Sequence, residues 1–164
     1  EAAEPFRSLI NPDAPCFANP NSMTEAIAEY CRATEQPVPE SIGQFTRCIF
    51  ESLALRYRQV VEMLRALSPV AIKRLYVIGG GARNRTLNQF TANAIGIPVE
   101  TGSSESTAIG NVMMQAKCAG VVDSIGDMRR MIRESLAEKQ CFAAQDADVW
   151  NAAYEKYLKI YINM

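Results

Sequence analysis

The sequence predicts an α/β fold, rich in helix and carrying a small parallel sheet. Two short apolar runs, 73–78 and 97–100, are bounded by glycine, proline or polar residues and read as buried strands. One stretch of helical spacing lies between them, so the two strands are expected to be parallel and joined by a right-handed crossover. Elsewhere apolar residues recur at three- and four-residue steps behind capping residues, the mark of amphipathic helices.

The first 21 residues are an arriving loop. Pro5, Pro12, Pro15 and Pro20 punctuate it, and no periodic apolar face develops. Ser22 followed three residues later by Glu25 is a capping box, and Met23, Ala26, Ile27 and Tyr30 give the helix behind it one apolar face to about Thr34. Gln36-Pro37-Val38-Pro39 breaks the chain. Ser41 with Gln44 caps the longest helix, whose stripe of Ile42, Phe45, Ile49, Leu53, Val60, Leu64 and Leu67 is expected to face the core until Ser68-Pro69. The first strand then runs into Gly79, Gly80 and Gly81. Leu87, Phe90, Ala94 and Ile95 mark a helix over 84–95 stopped by Gly96. After the second strand come a polar loop at 101–105, a helix rich in small residues over 106–119, and amphipathic helices over 124–136 and 148–162. The expected order is α-α-β-α-β-α-α-α.

Composition narrows the function. Seventeen basic and eighteen acidic residues leave a formal net charge of -1, and no run of like charge suggests a nucleic-acid arm or a membrane patch. No apolar run is long enough to span a bilayer. The chain has no histidine, which excludes histidine-based triads and histidine-ligated metals. Five cysteines without CxxC spacing argue against a zinc site and a secreted disulfide framework, and point to a cytoplasmic setting. Cys31 and Cys48 flank the break between the first two helices; reduced packing is expected, with a bridge as the alternative. Glu51 is expected on a solvated helix face. Val112, Met113 and Met114 are expected in the core. Trp150, Tyr154, Tyr157 and Tyr161 form a packing stripe expected to meet a neighbour or another subunit.

One segment carries chemistry. Leu75-Tyr76-Val77-Ile78-Gly79-Gly80-Gly81-Ala82-Arg83-Asn84 is a strand, a glycine turn and a helix start. Glycines let backbone approach a ligand closely, and the helix start offers unpaired N–H groups to phosphate or a nucleotide edge. The same glycines also fit a plain tight turn. A dinucleotide-binding unit is a rival, with Gly79-x-Gly81 and Glu100 as the ribose acid, although Asn84 stands where its third glycine belongs.

The segment VIGGGARNRTLNQFTANAIGIPVETGSSESTAIGNVMMQA resembles the adenosine-binding segment of FGGY-type carbohydrate kinases. It carries that family's GG(G/A)xxN turn at Gly80, Gly81 and Asn84, beside Gly79 and Ala82, and its E-(A/S)-T-A-(I/L)-G pattern from Glu105 to Gly110. The upstream string INPDAPCFANPNSMTEAIAEYCRATEQPVP resembles the branch of the family that phosphorylates L-rhamnulose.

The resemblance implies a lobe of an actin-like, ribonuclease-H-like ATPase. It divides the chain into an arriving loop (1–21), a nucleotide-binding core (22–136) and a C-terminal helix (137–164). It also implies ATP or ADP held at Gly79, Gly80, Gly81, Ala82 and Asn84, Mg²⁺ in the whole enzyme, and a sugar bound mainly by parts upstream. The chain is then expected to be a fragment without a catalytic residue of its own, inactive alone. Its first strand would offer an open edge for self-association. Another sugar kinase of the family, for fuculose or xylulose, and a nucleotide-binding module without transfer chemistry stay open.

Overall fold

The computed structural model describes residues 3–135 and 140–162. Helix α1 is Met23–Ala33 and α2 is Ile42–Leu67; strand β1 is Leu75–Val77; α3 is Arg85–Ile95; β2 is Val99–Thr101; α4 is Ser106–Cys118; α5 is Ile125–Ser135; β3 is Cys141–Phe142; and α6 is Ala147–Ile162. The expected end of α5 and the boundary at residue 136 fall outside the described residues.

Local signals set the helix starts. The Ser22 and Ser41 hydroxyls accept the N–H groups of Glu25 and Gln44, 3.3 Å each. Asn84 Oδ1 accepts Leu87 N–H at 3.0 Å to cap α3. Gly96 ends α3 at φ 70°, a left-handed residue that glycine takes without a Cβ clash.

The sheet corrects one expectation. β1 and β2 are parallel, Leu75 opposite Val99, but β3 joins β2 antiparallel, so the sheet is mixed with order β1-β2-β3. A two-residue strand is too short to show alternation. What places it is tertiary: Phe142 is buried beside Val61, Ala92, Ile95 and Val99, and the Gln140 carbonyl accepts Thr101 N–H at 2.9 Å.

α2 corrects another. Its buried face is Cys48, Glu51, Ser52, Ala54, Leu55, Gln59 and Val61, while Ile42, Val60, Leu64 and Leu67 of the expected stripe are exposed. The helix is turned towards an irregular segment, residues 6–11, whose backbone is held by side chains. Glu51 Oε2 accepts Phe6 N–H (2.8 Å), and Ser52 Oγ accepts Ile10 N–H (2.9 Å). Gln36 bonds both Leu9 N–H and Leu9 O, and the Tyr30 hydroxyl accepts Asn11 N–H. Together these four side chains, two of them on α2, satisfy five backbone groups of the segment that would otherwise lie unpaired.

Glu51 is therefore not on a solvated face: it is 1% exposed and paired with Arg47 at 2.6 Å. Burial pushes its carboxyl above the ordinary range, while Phe6 N–H and Arg47 pull it back. Cys31 and Cys48 are buried in one cluster with Ile10, Ile27 and Tyr30, and both are free thiols.

The last helix packs inside the chain. Trp150, Tyr154 and Tyr157 are buried with Leu9, Leu55 and Ala94, and Tyr161 lies against them. Their cover is the segment 6–11, α2 and α3, so no neighbouring chain is required. Of the expected methionine cluster only Met113 is buried; Val112 and Met114 are exposed. Met113 packs with Val122 and Met128 in a small core shared by α4 and α5. Among the described residues no helix is long and apolar enough to cross a membrane.

Candidate functional site

The two parallel strands end side by side, and the loops leaving their carboxyl ends form the candidate site, the usual place for a ligand in a parallel sheet. Gly79 carries the turn away from β1 at φ 76° and ψ -161°, a conformation open in practice to glycine alone. Its N–H donates to the Ser103 carbonyl at 3.1 Å, and Gly102 N–H donates to the Val77 carbonyl at 2.8 Å, so the ladder continues past the strand ends and joins the two loops. A Cβ on Gly102 would lie 2.9 Å from Ile78 Cγ2, so any larger residue here would have to displace the exposed Ile78 side chain.

Gly80–Arg83 then forms a single 3-10 turn, closed by Ala82 N–H on the Gly79 carbonyl and Asn84 N–H on the Gly81 carbonyl, 3.1 Å each. The leading N–H groups of such a turn lack intrahelical partners. A Cβ built on Gly80 meets nothing within 4 Å. Backbone and open space therefore meet at Gly80, which is exposed together with Gly81. Ala82 is buried and anchors the turn. Asn84 spends its oxygen on the α3 cap, which leaves its amide hydrogens for a ligand. The five residues expected from the sequence, Gly79, Gly80, Gly81, Ala82 and Asn84, are thus one continuous turn, with exposed backbone in its middle and an anchor on either side.

Sequence reasoning missed what holds the turn. Asn88, 2% exposed, donates its amide to the carbonyls of Gly81 (3.2 Å) and Ala82 (3.1 Å). It lies one helical turn after Asn84, and that i,i+4 spacing of two asparagines was the available signal. Arg83 reaches across to the second loop: its Nη2 donates to Ser104 Oγ at 2.9 Å and to Glu105 Oε1 at 3.3 Å.

Two grooves flank the turn. One, about 570 Å³, lies between α2, β1 and α3 and is lined by Tyr57, Leu64, Tyr76, Gly81, Leu87 and Asn88 among others. The other, about 660 Å³, lies between the outer face of the sheet and the α4–α5 pair, with Ile78, Gly102, Ser103, Ser106, Arg129 and Arg133 in its walls. Among the described residues no group of three or more acidic or cysteine side chains is gathered to hold a metal ion. Glu100, the acid required by the dinucleotide alternative, is ion-paired with Arg74.

Residues 1–119 match the pattern described as "FGGY family of carbohydrate kinases, C-terminal domain". The chain is 63% identical over 154 residues to the rhamnulokinase of Bacteroides thetaiotaomicron, covering 94% of this chain and 32% of that protein. It is 42% identical to the rhamnulokinase of Mannheimia succiniciproducens and 39% identical to that of Bacillus subtilis, covering 85% and 88% of this chain but 29% and 30% of theirs. It thus spans just under a third of the length of the curated relatives it matches. A xylulose kinase from Rhodospirillum rubrum superposes with a TM-score of 0.60 at 21% identity, covering 77% of this chain and 26% of that one. A xyloylose kinase from Brucella ovis superposes at 0.58 and 18% identity, covering 78% and 27%. At these identities the likeness speaks for the fold alone.

Proposed function

From a chain that belongs to the FGGY family of carbohydrate kinases, we propose a part, the adenosine-holding one, of an ATP-dependent kinase that phosphorylates L-rhamnulose. The family implies use of ATP. In this reading the nucleotide-binding core is 22–136. Gly80 and Gly81 let the nucleotide approach the backbone, Asn84 offers its amide, and Gly79 and Ala82 hold the turn in shape.

The observation that carries the reading is the open space over Gly80 at the carboxyl ends of two parallel strands. It lies in a chain 63% identical to a rhamnulokinase. Bound ATP supplies the γ-phosphoryl group, and Mg²⁺ arrives with the nucleotide and offsets its charge. The chain contributes positioning only. The phosphate-binding segments, the sugar site and the base that takes the hydroxyl proton belong to other parts of the enzyme, and its setting is cytoplasmic. The match along residues 10–39 favours L-rhamnulose over the fuculose and xylulose alternatives.

Titration of the isotope-labelled chain tests this. ADP is expected to shift the amides of residues 79–84 with an affinity near the millimolar range, about -4 kcal/mol, and NAD is not. Gly80→Val fills the open space and is expected to abolish the response while leaving the fold intact. An ADP-release assay on the pure chain is expected to show no sugar-dependent turnover. NAD shifting these amides where ADP does not, or turnover by the chain alone, would overturn the proposal.

A further inference from the structure

Arg83 is the charged residue of the glycine turn, and its geometry is specific. Its guanidinium is held at one edge: Nη2 donates to Ser104 Oγ and to Glu105 Oε1 on the loop after β2. The side chain is otherwise 72% exposed. A guanidinium pinned at one edge keeps both flat faces free. An arginine that reads phosphate does so the other way round, through its edge, in a bidentate fork. Here Nη2, half of one such fork, is already committed to Ser104 and Glu105.

The surroundings agree. The space over Gly80 is empty to 4 Å, and the neighbouring Gly81 is exposed. Arg83 stands two residues further along the same 3-10 turn, with the buried Ala82 between it and the glycines. The Gly79 N–H to Ser103 carbonyl bond holds the second loop, and with it the anchors of Arg83, at a fixed place beside the turn. Ser104 and Glu105 thus stand beside Arg83 before any ligand arrives, which lowers the ordering cost of using its guanidinium.

We infer that Arg83 is a specificity-determining residue, whose guanidinium face stacks on the purine ring of the nucleotide, with Ser104 and Glu105 holding the plane in position. This rests on the adenosine reading of the turn and names the group that would favour a large flat base there. Stacking of a cation on a π-system is sequence-independent chemistry: it rewards area of ring and does not need the phosphates. Uncharged adenosine should therefore feel Arg83 as much as ADP does, and a single-ring base should feel it less.

The experiment titrates the labelled chain with adenosine, ADP, cytidine and inorganic pyrophosphate, following the amides of 79–84 and the Arg83 Nε–Hε resonance. Adenosine and ADP are expected to move that Nε–Hε signal upfield by ring current, whereas pyrophosphate alone is not. Arg83→Ala and Arg83→Lys are each expected to weaken adenosine and ADP alike, roughly threefold to fivefold, because lysine keeps the charge and loses the plane. Glu105→Gln, which loosens the pin but keeps the arginine, is expected to fall between them and the parent chain. Unchanged adenosine binding in both Arg83 variants overturns the inference while leaving the nucleotide reading in place. So does a loss confined to ADP with full rescue by lysine, because Arg83 would then be reading charge. A parent chain that responds to none of the nucleosides or nucleotides sinks the nucleotide reading, and this inference with it.

Discussion

The two sides of α2 are built on opposite terms. Towards the irregular segment 6–11 and α6 the helix presents Cys48, Glu51, Ser52 and Leu55, a partly polar surface that is wholly buried. Towards the β1 edge it presents Val60, Met63, Leu64 and Leu67, an apolar surface left 38–83% exposed. The first side is closed because each of its polar groups has a partner within this chain, which offsets much of the desolvation that burial imposes. The second side, with Tyr76 and Ile78 of the neighbouring edge, offers only area and has nothing within the described residues to bury against. Burial here follows the availability of partners, and hydrophobicity comes second.

The largest test of that contrast is Trp150→Ala. Trp150 is 4% exposed and joins Phe6, edge-on at 4.8 Å, to Phe90 at 5.4 Å, so its loss opens the closed side where the segment 6–11, α3 and α6 meet. A cost of about 3–5 kcal/mol is expected in denaturant unfolding. A cost near that of an ordinary surface change would show that the closed side does not hold the molecule together.

Glu51 sharpens the comparison through pH. Burial raises its folded proton affinity above the ordinary value of 4.5. A group whose folded pKa is raised contributes stability that is full below its unfolded value and is lost as pH rises through the folded one. The stability of the parent chain relative to Glu51→Gln, which has no proton to lose, should therefore fall as pH climbs from below 4.5 towards neutrality. A relative stability constant across that range would mean that Phe6 N–H and Arg47 fully offset the burial of the charge.

The open side should respond least in stability and most in association. We propose that the unpaired edge of β1 and the apolar surface beside it bring copies of the isolated chain together. Tyr76→Lys, at a position 55% exposed, is expected to change stability by less than about 0.5 kcal/mol. It should nonetheless lower the apparent mass measured by light scattering at high concentration. A parent chain that stays strictly monomeric would show that this edge is already protected.

Much of the shape of the candidate turn was legible because it is local: Gly79, at positive φ after a strand, and Asn84, capping a helix, act within a few residues of themselves. The holders of the turn were not legible. Asn88 acts back across six and seven residues to the Ala82 and Gly81 carbonyls. Gly102, Ser103 and Ser104 reach the turn only because β1 and β2 lie in one particular register.

The same division runs through the whole chain. The caps at Ser22, Ser41 and Asn84, the glycine stop at Gly96 and the order of helices and main strands were determined by the sequence itself, because each depends on bonds closed within about four residues. The antiparallel β3, the burial of Glu51 and the inward seat of Trp150 and Tyr157 were decided only by the tertiary structure. These depend on pairs 39 to 150 residues apart, such as Phe6 with Glu51, Thr101 with Gln140 and Lys156 with Phe6, and on which face of α2 finds groups able to bond it. Periodicity marks where an apolar stripe lies on a helix. Whether that stripe is covered depends on the partners that the rest of the chain can bring to it.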